Sequence, residues 1–156
     1  MKKVFFVVLF FSFTFCIFAQ EKRENSFSIG LGPEWNMDSR HDFAIGAVLG
    51  LTYNLFDNFA MGFDVSGSSN FGNIHTLEPY VFLRYYLQNK SYAGFFIQAD
   101  AGVFLLFENE DFSPEPLFGF GGGYRHHFGS SFYLEPYGRL GYPYAFGIGL
   151  MVGICF

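Results

Sequence analysis

The side chains that could do chemistry in this 156-residue chain are few and scattered. Hydrolysis would need a histidine and a serine-type nucleophile reaching one substrate atom from one face. The adjacent His126 and His127 cannot do this in an extended segment, because neighbouring strand residues point to opposite sides. Two residues beyond His126, on its own side, stands Phe128 rather than a serine. Asp38, His41, Asp42 and His75 could gather round a metal, and Glu108, Glu110, Asp111 and Glu115 round a divalent cation. Neither set has a diagnostic ligand spacing. No catalytic residue, cofactor or metal site is therefore expected, and the chain reads as a non-enzyme. What remains is a set of single charges among apolar stretches: Glu34, Asp64, Glu78, Arg84, Asp100, Arg125, Glu135 and Arg139. Their chemistry is mutual pairing, as a closed charge network or as the lining of an ion path.

The elements that carry these charges alternate. In residues 146–156, Phe146, Ile148, Leu150, Val152, Ile154 and Phe156 take one face, and Gly147, Gly149, Met151, Gly153 and Cys155 the other. This is the period of a strand with one wholly apolar side. Gly and β-branched residues at this density exclude a helix. The same alternation runs through 26–36, 42–55, 59–68, 76–87, 93–107, 117–128 and 132–141, which makes eight strands. Connections at 56–58, 88–91 and 129–131 are tight and polar, whereas 36–41, 67–75 and 108–116 are longer, and that around 142–145 is short. Short turns on one rim and longer loops on the other predict an all-β fold, an eight-stranded antiparallel up-and-down transmembrane β-barrel. The tetrapeptide at residues 77–80, Leu-Glu-Pro-Tyr, recurs at 134–137 and reads as two equivalent strand starts with an inward Glu and Tyr.

Composition agrees with that reading. Aromatic residues make up 23% of the chain and hydrophobic residues 51%, with only 15% charged, and the net charge is -5. With no Lys/Arg cluster, nucleic-acid binding is excluded. Lys2 and Lys3 precede an apolar run from Val4 to Phe18 that ends at Ala19. This is the pattern of a secretory signal peptide, 1–19, cleaved near Ala19–Gln20, and too short for a bilayer span. The barrel domain is then 20–156. Without the leader it carries 7 basic and 14 acidic residues, and Cys155 is its one cysteine.

Once the apolar residues set the register, all eight charges named above fall on the Gly-rich polar face, which chance would give about once in 250 tries. A soluble barrel with the apolar face inward is the rival, but an eight-stranded interior is only just wide enough to be filled by side chains. It cannot hold the Phe, Leu, Ile and Val of every strand. The apolar face must therefore meet lipid. Most of the 19 glycines lie on the polar face. There they leave room for inward Tyr80, Phe82, Tyr86, Phe96, Phe104 and Tyr137. Such a lumen is expected to be a closed plug of paired charges. If it conducts, five acids against three arginines favour cations.

Residues 25–156 resemble the small eight-stranded outer-membrane β-barrels, the group that includes OmpX, OmpW and the OmpA transmembrane domain. The alternating end with terminal Phe156 is the most specific part. The stretches 96–102 and 119–125 also look typical. The resemblance implies a Sec-exported, monomeric protein of a bacterial-type outer membrane. Its partners would be membrane lipids, a lipopolysaccharide-like outer leaflet where present, and the barrel assembly machinery. That machinery would read Phe156, Ile154, Val152 and Leu150. In contrast to OmpA, no peptidoglycan-binding domain is expected after the barrel. Two other roles stay open: an OmpW-like passage for small apolar molecules or ions, and a surface adhesin acting through the 108–116 loop.

Overall fold

The computed structural model describes residues 27–156, apart from 39–42, 73, 89–92 and 109–110. The expected leader, together with His41, Asp42 and Glu110, lies outside them. The chain forms eight strands: β1 (Phe27–Asp38), β2 (Phe43–Asn54), β3 (Phe59–Ser69), β4 (Ile74–Tyr86), β5 (Gly94–Glu108), β6 (Asp111–Phe128), β7 (Phe132–Tyr142) and β8 (Tyr144–Cys155). Each pairs antiparallel with its neighbours in chain order, and β1 pairs with β8 to close the barrel. Closure removes the free edges that would otherwise expose unpaired N–H and C=O groups.

The two faces of the wall follow the alternation of the sequence. Leu31, Leu49, Phe63, Leu83, Ile97, Phe120, Leu140 and Val152 are exposed on the outside, one from each strand. All eight charges expected on the polar face are buried inside. Small residues set how the interior is filled. Gly62 stands opposite Phe82, Gly102 opposite Tyr80, Gly123 opposite Phe96 and Tyr137, and Gly149 opposite Tyr137. A Cβ on Gly149 would overlap the Tyr137 ring. Tyr80, Phe82, Phe96 and Tyr137 therefore occupy space that a neighbouring strand leaves by carrying glycine. All six expected inward aromatics lie in the lumen, five of them buried and Tyr137 partly so.

The connections expected to be long are shorter, while those expected at 56–58 and 88–91 are longer. On the rim that holds the start of β1 and the end of β8, the connections are 55–58, 87–93 and 129–131. On the opposite rim they are 39–42, 70–73, 109–110 and Pro143. The contrast of short turns and longer loops is therefore absent, because the strands continue through what the polar residues suggested was loop. Ser68 pairs with Thr76, and their hydroxyls lie 2.7 Å apart.

The 108–116 segment is corrected most. It is the end of β5 and the start of β6, paired with each other, with Glu108 opposite Asp111, Leu105 opposite Pro114 and Val103 opposite Pro116. Proline ordinarily marks a loop or a sheet edge, since it has no N–H to donate. Here β6 pairs with β7 only from Phe118 onward, so Pro114 and Pro116 lie on an unpaired edge and cost no ladder bond on that side.

Candidate functional site: a charged lumen

Three further prolines sit in mid-strand: Pro33 in β1, Pro79 in β4 and Pro136 in β7. Each points outward, and each adjoins an inward glutamate: Glu34, Glu78 and Glu135. At each, pairing with one neighbour is interrupted. The β1–β8 register skips Gly32 and Pro33, β4–β5 skips Glu78 and Pro79, and β6–β7 skips Glu135 and Pro136. The missing N–H explains the gap. The repeated Leu-Glu-Pro-Tyr, expected to mark two strand starts, lies instead inside β4 and β7 and marks two such interruptions.

The three glutamates and three arginines make two triads. In the first, Glu135 Oε2 accepts from Arg84 Nη1 at 2.9 Å and from Arg125 Nε at 2.5 Å. In the second, Arg139 Nη2 donates to Glu34 Oε1 at 2.7 Å and to Glu78 Oε2 at 2.5 Å. One triad carries an excess positive charge and the other an excess negative charge, so together they balance. Glu34 also accepts from Asn36 Nδ2, Ser66 Oγ and Tyr137 Oη. Arg84 donates to Gln98 through two nitrogens, and Arg125 to Ser28.

Aromatic faces complete the solvation of the cations. Arg84 lies 3.9 Å from the Phe96 ring centroid, Arg125 4.0 Å from Tyr133 and Arg139 4.2 Å from Tyr144. A desolvated guanidinium on a ring face gains about 2 kcal/mol. These contacts involve the residues that sequence reasoning missed as partners: Ser28, Asn36, Ser66, Gln98, Tyr133 and Tyr144. Strand parity put most of them inside, but it could not say which reach which, because the partners lie across the lumen and not along a strand.

Asp64 and Asp100 are buried yet stand outside both triads. Asp100 Oδ1 accepts a long bond from Tyr144 Oη, at 3.5 Å. A cavity of about 10 Å³ is bordered by Asp64, Arg84, Gln98, Glu135, Tyr137 and Arg139. This is room for about one water. Asp64 Oδ1, Glu135 Oε1 and Arg139 Nη1 are buried beside it without a protein partner.

Apolar layers close the lumen on both sides of the charges. Toward the loop rim lie Phe104, Leu106, Leu117 and Tyr144. Toward the terminal rim lie Tyr133 and Cys155, with Ala60, Tyr86 and Phe96 beside them. Val48, Met151, Tyr80 and Phe82 sit at the level of the charges, Met151 opposite Glu135, Tyr80 opposite Asp64 and Phe82 opposite Asp100. The remaining expectations fall outside this core. His126 points outward between Tyr124 and Phe128, while His127 points inward against Tyr133. Glu115 accepts from Tyr142 Oη at 2.9 Å. Among the described residues, no three His, Cys, Asp or Glu side chains converge as metal ligands. Leu150, Val152, Ile154 and Phe156 line the outer face of the last strand, and Phe156 N donates to Phe27 O at 2.8 Å.

No protein-family model and no curated protein sequence matches the chain. Solved structures do. Neisserial surface protein A (NspA) aligns with a TM-score of 0.66 at 11% identity, covering 84% of this chain and 97% of that one. The N-terminal β-barrel domain of Pseudomonas aeruginosa OprF gives 0.60 at 16% identity, covering 86% and 100%. A de novo designed transmembrane β-barrel gives 0.51 at 14% identity, covering 86% and 99%. The chain has the fold of the small eight-stranded outer-membrane β-barrels.

Proposed function

We propose that the chain serves as a non-enzymatic integral protein of a bacterial-type outer membrane, with a structural or surface role and a closed lumen. It is exported by the Sec route, loses its leader near residue 19 and works as a monomer. Its partners are the membrane lipids, a lipopolysaccharide-like leaflet where one exists, and the assembly machinery acting on Phe156, Ile154, Val152 and Leu150. The observation that carries the closed lumen is the pair of balanced triads between two apolar layers. An ion crossing it would have to displace arginines that are each paired with a carboxylate and stacked on a ring.

One observation favours a second reading, a narrow cation passage: Asp64 and Asp100 add acidic groups that lie outside the two triads. Planar-bilayer recording separates the two. The closed lumen predicts a silent membrane after insertion, and discrete cation-selective steps would sink it. Electrophoresis tests the barrel itself, since a folded sample is expected to migrate differently before and after boiling.

A further inference from the structure

The β5–β6 hairpin is the longest in the barrel, with strands of 15 and 18 residues against 11 to 13 elsewhere. It rises past the end of β7, whose pairing with β6 stops at Tyr142–Phe118. A hairpin that overtops its neighbours would ordinarily be read as projecting into the medium. Its side chains oppose that. The outward residues of β5 are Phe95, Ile97, Ala99, Ala101, Val103, Leu105 and Phe107, and those at the top of β6 are Phe112, Pro114, Pro116, Phe118 and Phe120. The alternate positions near the tip, Glu108, Asp111 and Ser113, are polar and fall on the lumen side of the wall, while Glu115 accepts from the hydroxyl of Tyr142, an exposed residue opposite Phe118. The outward residues of the hairpin itself are therefore apolar as far as Phe107 and Phe112.

Two cross-strand aromatic pairs bound this wall. Phe95 pairs with Tyr124, their ring centroids 4.8 Å apart, and Phe107 pairs with Phe112 at 5.2 Å. Twelve residue steps separate Phe95 from Phe107, about 40 Å along the strand and roughly 28–32 Å along the barrel axis at the usual strand tilt. The hydrocarbon core of a bilayer is about 30 Å thick. Aromatic rings gather at both of its boundaries. His75 stands beside Phe107 on β4 as an exposed polar residue on the outer face, which suits the level of the lipid headgroups.

We infer that the β5–β6 hairpin is a lipid-contacting wall up to its tip, with Phe95 and Tyr124 at one membrane boundary and Phe107 and Phe112 at the other. The occupant of its outer face is lipid acyl chain, continuous with the belt below. Pro114 and Pro116 fit this placement, because they remove two backbone donors from the edge of β6 that β7 leaves uncovered. The inference rests on the membrane reading given above and adds the depth at which this hairpin sits.

The sequence holds a single tryptophan, Trp35, which makes fluorescence a direct test. In a Trp35→Phe background, Phe112→Trp and Phe118→Trp are each refolded into phosphatidylcholine vesicles. Some vesicles carry lipids brominated near the headgroup end of the chain, and others lipids brominated deep in it. The expected result is strong quenching of Phe112→Trp by the shallow bromines, and of Phe118→Trp, midway up the wall, by the deep ones. A Phe112→Trp that ignores both lipids and is freely quenched by acrylamide in the water overturns the inference while leaving the barrel in the membrane. A Phe112→Trp shielded from bromine and acrylamide alike, and released on dilution into more lipid, assigns the face to a second copy and also overturns it. If Phe118→Trp is itself untouched by any brominated lipid, the membrane reading falls and the inference with it.

Discussion

Arg139 donates to Glu34 at 2.7 Å, although the two residues sit on β7 and β1, strands that share no ladder because β8 lies between them. The bond spans 105 positions of sequence. It ties the last part of the chain to the first through the lumen, independently of the closing β1–β8 ladder. Removing one member of a buried ion pair leaves an uncompensated charge and costs about 3–5 kcal/mol. Arg139→Ala is expected to lose that much, read as a lower urea midpoint in unfolding from vesicles. Replacing the whole triad, with Glu34→Gln, Arg139→Met and Glu78→Gln together, is expected to cost less than Arg139→Ala alone.

Glycine size is the second prediction. Gly149 lies beneath Tyr137, and an added Cβ would overlap its ring. Gly149→Ala should destabilise the barrel by about 1–3 kcal/mol, the usual cost of overpacking. In a Tyr137→Ala background the same substitution should cost much less. Additive losses in that double-mutant cycle would show that the contact is not what requires glycine.

Outer-face substitutions should depend on depth. Val81 is exposed near the middle of β4. Val81→Arg is expected to cost about 2–4 kcal/mol in a bilayer. Phe27→Arg, at the terminal rim, should cost only about 0–1 kcal/mol. Equal costs at the two positions would contradict lipid at the outer face.

Pro79 interrupts the ladder between β4 and β5, and the register on either side puts Val103 opposite it. Pro79→Ala supplies the missing N–H. The new amide is expected to be slow in hydrogen exchange, because it can bond to the Val103 carbonyl, a bond worth about 0.5–1.5 kcal/mol net. Fast exchange of that amide would mean that the gap has another cause.

Strand number and strand faces were legible from alternation, and the inward position of all eight charges followed once the narrow interior of an eight-stranded barrel ruled out the apolar face. Period-two patterning is a local property: Leu83, Arg84, Tyr85 and Tyr86 announce their sides without knowing their neighbours. The extent of the strands at 108–116 was not legible, because Glu, Asp, Ser and Pro look the same in a polar loop as in a hairpin whose inner face is wet and whose edge is free. The pairing of the lumen charges was not legible either. Which arginine reaches which glutamate depends on shear and closure, quantities that no single strand contains.

The amino-acid order by itself thus determined an eight-stranded wall with an apolar outside and a charged, glycine-relieved inside, because each side chain's face depends only on its own strand. Tertiary structure alone decided that the three arginines and three glutamates divide into two triads, that Asp64 and Asp100 stay apart, and that the β5–β6 hairpin outgrows its neighbours. Those outcomes follow from closing the sheet, which fixes how far each strand is displaced along the next and therefore which side chains meet across the lumen.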